Sequence, residues 1–108
     1  MIGMDNEIIL FHWNILELTD DMAIFVGLRH RIDRDVSEPE DVLLNYSFRQ
    51  STPIKLFDEQ LGHGITYSGR RYQCIGEPSD PQNLIRIAVG ILFGRTAKFR
   101  YPFKEYDA

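Results

Sequence analysis

Apolar and polar positions alternate in short stretches along most of this chain, and only near its C-terminal end do they merge into a long apolar run. Glu7 to Leu18 is rich in β-branched, aromatic and aliphatic residues. From Asn14 the alternation is clean, with Ile15 and Glu17 on one side and Leu16 and Leu18 on the other. Thr19-Asp20-Asp21 then supplies turn formers, and Met22 to Leu28 is a second apolar run. Two such runs around a short acidic turn predict a β-hairpin. Ile8 to Trp13 is short enough to read equally as a helical turn; strand is preferred.

Arg29 to Asp41 carries few apolar anchors and a proline, which predicts an exposed, mobile loop. Val42 to Gln50 reads as a strand. Ser51-Thr52-Pro53 predicts a bend, because proline cannot donate to a ladder. Ile54 to Phe57 is a short apolar run, and Asp58 to Gly64 is a turn region. Gly64 to Gly76 reads as a tight hairpin with Ser68-Gly69 at its tip. With a two-residue loop Tyr67 faces Arg70, Ile65 faces Tyr72 and His63 faces Cys74. With Gly69 in a bulged three-residue loop the register slips by one, and Cys74 faces Gly62 instead.

The apolar run predicts a helix over about 79–93. Ser79 is a good N-cap and Gln82 sits three residues on, the spacing of a capping box. Asp80 and Pro81 suit a first turn, and Gly94 is a natural stop. The β-branched content of Ile85 to Phe93 argues for a buried strand, but length and capping favour the helix. Thr96 to Tyr106 alternates weakly and predicts a final edge strand. If so, Phe99, Tyr101 and Phe103 share one face, and Lys98, Arg100 and Lys104 the other. The fold class expected is α+β: a curved antiparallel sheet or small open barrel of five to six strands with one C-terminal helix. The 108 residues suffice for one domain, 1–108, with its own core.

Charge narrows the function. The net charge of −4 conceals an acidic first half, with ten acids and four bases over residues 1–54, and a mildly basic second half, with six acids and eight bases. That distribution disfavours a protein that coats nucleic acid. A local basic patch from Arg70, Arg71, Arg95, Lys98 and Arg100 stays open, because aromatics interleave with the bases of the tail and nucleobases stack on aromatics. A lone cysteine, no signal-like N-terminal segment and no run long enough for a bilayer lead to the expectation of a cytoplasmic protein.

Candidate chemistry is sparse. His12, His30 and His63 have no metal-ligand spacing, the acidic pairs do not match a calcium loop, and no phosphate-cradling glycine motif is present. No metal and no cofactor are expected. His63 and Cys74 form a thiol–imidazole pair only under the first hairpin register, which would suit a cysteine-dependent enzyme or small-ligand binder. The more informative signal is the helix. Eight of the ten residues from Leu84 to Phe93 are apolar, so it is apolar nearly all round. A small domain cannot cover such a helix on every side. Leu84, Ile87, Ala88, Ile91 and Leu92 are therefore the candidate interface, and the expected function is a non-enzymatic binding or interaction module, acting as a homodimer or on a partner protein. Nucleic-acid binding is the alternative.

Overall fold

The computed structural model describes residues 7–19, 21–30 and 46–103. They form the α+β arrangement expected, with seven strands rather than five or six: β1 (Ile8–Leu10), β2 (His12–Thr19), β3 (Met22–His30), β4 (Tyr46–Asp58), β5 (His63–Thr66), β6 (Arg71–Cys74) and β7 (Lys98–Phe99). The order across the sheet is β1-β6-β5-β4-β3-β2-β7. Every pairing is antiparallel except that of β1 with β6, and the sheet is curved but open. A 3₁₀ turn (Pro81–Asn83) and α1 (Leu84–Phe93) connect β6 to β7. Most of the charged loop and the first residues of the Val42–Gln50 run lie outside the described residues.

Two long segments curl the sheet by changing partners midway. In the first, β2 pairs with β3 as the hairpin pattern predicts, but the chain breaks at Phe11 and β1 leaves to pair with β6. Phe11 N–H donates to the Leu28 carbonyl (3.0 Å), while the Leu10 carbonyl already accepts from Ile75 N–H (3.0 Å). This crossing brings the chain so close to β3 that a Cβ at position 27 would overlap the His12 carbonyl, hence Gly27. The second segment is β4, whose first half pairs with β3 and second half with β5. The bend expected at Ser51–Pro53 is present as a bulge in one continuous strand: Val26 faces Gln50, whereas Ile24 faces Pro53. Ser51 repairs the interrupted ladder. Its hydroxyl accepts from Phe25 N–H (2.8 Å) and donates to the Thr52 carbonyl (2.6 Å).

The alternation in β2 and β3 feeds two cores. Trp13, Ile15 and Phe25 point inside the curl with Ile8, Leu10, Tyr72 and Cys74. Edge-to-face contacts of Trp13 with Phe57 and Tyr101, and a stacked pair of Phe25 with Tyr72, fill it; each such pair adds roughly 0.5–1.5 kcal/mol beyond area burial. Leu16, Ile24, Val26 and Leu28 point the other way, where Ile85, Val89 and Phe103 cover them. The helix thus roofs the outer face of the central strands.

That helix begins four residues later than the capping box predicts, at Leu84 with Asn83 in the N-cap position. The Ser79 hydroxyl is engaged with His12 Nδ1 (2.8 Å), so it does not cap. Gln82 and Asn83 are left-handed, both at φ 58°, which stops a helix from starting before Leu84. Such non-glycine residues cost on the order of 1 kcal/mol each. Asp80 offsets this: its carboxylate accepts from Ile85 N–H (2.6 Å) and Arg86 N–H (3.0 Å), closing the first turn. Gly94 ends the helix as expected, with φ 69° and its N–H on the Gly90 carbonyl (3.1 Å).

Candidate functional site

An α-helix with apolar residues on every side has to divide them. Of the five candidate interface residues, Leu84 packs against the core beneath the helix and Ala88 is half-buried. Ile87, Ile91 and Leu92 face outward, 55%, 78% and 57% exposed. Gly90 lies among them, and a Cβ there would meet nothing. Arg86, the one charge in the run, is turned away. Its NH1 donates to Asp80 Oδ2 (3.3 Å) and Asn83 Oδ1 (2.6 Å), and its guanidinium lies 4.7 Å over the Phe103 ring. The outward stripe of α1 is therefore uncharged and more than half exposed at each of its large side chains.

The basic residues do not form one surface. Arg95 follows the helix, Lys98 lies in β7 and Arg100 just after it. Arg100 Nε donates to Glu17 Oε2 (2.5 Å), an ion pair that also holds the guanidinium's pKa up, and Lys98 is the register partner of Glu17. Arg70 and Arg71 sit on the β5–β6 hairpin, with β5, β4, β3 and β2 between them and β7. Among the described residues, the tail aromatics Phe99, Tyr101 and Phe103 are not stacking platforms. Phe99 and Phe103 contact one another beneath α1. Tyr101, expected on their face, packs instead against Trp13 in the other core. The cause is Asn14, fully buried, which donates to the Tyr101 carbonyl (2.7 Å) and accepts from Tyr101 N–H (3.2 Å). This side-chain clamp turns the chain after only two residues of β7. Lys104 lies outside the described residues.

The hairpin adopts the bulged register. Gly69, at φ 90°, completes a three-residue loop, with Gly69 N–H on the Thr66 carbonyl (2.9 Å). His63 faces Gln73, and Cys74 N–H reaches the Gly62 carbonyl (2.7 Å). His63 is exposed while Cys74 is buried in the core within the curl, so the pair is not assembled. Burial pushes the Cys74 thiol up to about 12, the reverse of what a nucleophile needs. A different histidine pair does form: His12 with Ser79, 67 residues apart. No spacing in the sequence announces it. Burial lowers the His12 pKa, against a smaller upward pull from Asp80. Among the described residues no group of three or more His, Cys, Asp or Glu side chains is placed to hold a metal, and no helix is long and apolar enough to cross a membrane.

Two hollows flank the hairpin. One, about 380 Å³, lies over the outer face of β4–β6 between Leu56, Asp58, His63 and Arg71. The other, about 230 Å³, lies between the β4 bulge and the hairpin loop. Comparison with protein families, with characterised proteins and with solved structures returned no match.

Proposed function

We propose that this protein is a non-enzymatic interaction module that pairs with a second copy of itself through the outward face of α1. The observation that carries the reading is the uncharged stripe of Ile87, Ile91 and Leu92 around Gly90. Contiguous exposed apolar surface of this kind marks interaction sites more often than solvent-facing surface. Gly90 favours another helix over an extended peptide, because the open space above it allows a neighbouring helix backbone to come close. A two-fold axis through Gly90 would set each stripe against its copy, the self-complementary arrangement of most homodimers.

Burial energetics set the scale of the affinity. Fully burying one such side chain is worth about 1.5–3 kcal/mol. Three partly exposed side chains from each protomer would contribute on the order of 6–10 kcal/mol, part of which offsets the cost of association. With that cost at its smallest, about 4 kcal/mol, about 5–6 kcal/mol remains at the upper end, so a dimer of tens to hundreds of micromolar is the expected scale. Sedimentation equilibrium across that range, with Ile91→Glu as the disrupting variant, tests it. The lone buried cysteine fits a reducing, cytoplasmic setting. A nucleic-acid reading has less support, because Phe99, Tyr101 and Phe103 pack against the two cores and, among the described residues, the bases are divided between distant strands.

A further inference from the structure

The smaller hollow has a composition unlike the rest of the surface. Its walls are Arg49, Ser51 and Thr52 from the bulged part of β4, Ser68 and Arg70 from the hairpin loop, and Tyr72 from β6. Among the described residues, two guanidinium groups therefore line it and no carboxylate does. Arg49 Nε donates to the Tyr72 hydroxyl (3.3 Å), which fixes the guanidinium against the wall. Among the described residues neither Arg49 nor Arg70 has an acidic partner. At the rim the Thr52 and Ser68 hydroxyls are 3.0 Å apart, and Ser68 is 2.8 Å from the Thr66 hydroxyl. Either member of each pair can donate, so a proton can swing toward an arriving acceptor.

From this arrangement we infer that the cleft between the β4 bulge and the β5–β6 loop binds a dianionic phosphate group, held by Arg49 and Arg70 with the Thr52 and Ser68 hydroxyls at its rim. Two arginines in one small cleft match a phosphate because each planar fork can offer two parallel N–H donors to it. The volume suits a single phosphate with part of its bearer rather than a run of nucleotides. Arg71 reinforces the point. It belongs to the other hollow, beside Asp58 and Glu7, so the hairpin arginines do not continue as a track along which a nucleic-acid backbone could lie. Both features that build the cleft have other structural roles, since the bulge bends β4 and the Gly69 loop sets the hairpin register. The cleft is therefore preformed, and its occupation requires little rearrangement.

The test is a titration of the protein with inorganic phosphate at about pH 7.5 and fixed ionic strength, where the phosphate is mostly dianionic, followed through backbone amide shifts. Saturable shifts should cluster at residues 49–52 and 68–72. Arg49→Gln and Arg70→Gln should each weaken binding about tenfold, and Lys98→Gln should leave it unchanged. Arg70 is exposed, so its variant keeps the fold, and a melting curve of each variant checks this. Shifts that do not saturate, or that Lys98→Gln reduces as much as Arg70→Gln, would overturn the assignment. A competition arm separates sources. A short single-stranded oligonucleotide carrying a terminal phosphate should displace inorganic phosphate, and the same oligonucleotide without it should not. Equal displacement by both would replace the dianion site with phosphodiester binding.

Discussion

Asp80 is the residue on which the placement of α1 depends, and replacing it gives a sharp test of the packing argument. Its side chain is 1% exposed, yet it carries the first-turn hydrogen bonds of a helix whose preceding two residues are left-handed. In Asp80→Ala, the Ile85 N–H loses its acceptor at a fully buried position, and an unsatisfied buried donor costs about 1–3 kcal/mol. The Arg86 N–H loses a second bond, and cap removal typically costs about 1 kcal/mol. The ion pair adds little. The Arg86 side chain is 35% exposed, so solvent screens the charge term to below about 1 kcal/mol, and Arg86 retains Asn83 and the Phe103 ring. The expected loss is therefore about 3 kcal/mol for Asp80→Ala and about half that for Asp80→Asn, which keeps one acceptor. Ser79→Ala, which removes only the His12 contact, should cost less than about 1 kcal/mol. Urea unfolding monitored by circular dichroism reads this as a shift in midpoint at constant slope. If Ser79→Ala costs more than Asp80→Ala, Ser79 is the true cap and the role assigned to Asp80 is wrong.

Two further outcomes follow from the titrating groups. Burial holds the His12 pKa below its ordinary value of 6.5, so the unfolded chain takes up a proton first as pH falls. The contribution of His12 to stability is thus fully present above 6.5 and is lost below it, down through the depressed folded value. His12→Asn should flatten that acid limb of the stability profile, and an unchanged slope would show that His12 is not its source. Cys74, with its thiol at about 12, should resist iodoacetamide at about pH 8 in the native state and react only on unfolding. Alkylation at the rate of a free thiol would contradict its burial.

What could be read from the chain follows from the range of the interactions involved. The β2–β3 hairpin was legible because Ile15 and Leu16 alternate into two cores and the turn between the strands is local. The departure of β1 was not, since its partner β6 lies far along the chain and the break at Phe11 is set by that partner. The hairpin register was legible as two options that differ in the role of Gly69, and the pairing of Thr66 with Arg70 around three loop residues decides between them. The helix start was misread because Ser79 is claimed by a histidine from β2, a tertiary contact that outcompetes a local cap. The apolar stripe of α1 could be anticipated because composition alone exceeds what one side of a small sheet can cover. The phosphate cleft could not, because Arg49 and Arg70 meet only through the β4 bulge and the hairpin loop.

Sedimentation equilibrium of the wild-type chain and of Ile91→Glu, from about 1 to 300 micromolar, tests the central claim most directly. A concentration-dependent monomer–dimer equilibrium in the wild type, abolished in Ile91→Glu without loss of thermal stability, is the result expected. A wild-type chain that stays monomeric across the range, or a dimer that Ile91→Glu leaves intact, would contradict pairing through the outward face of α1.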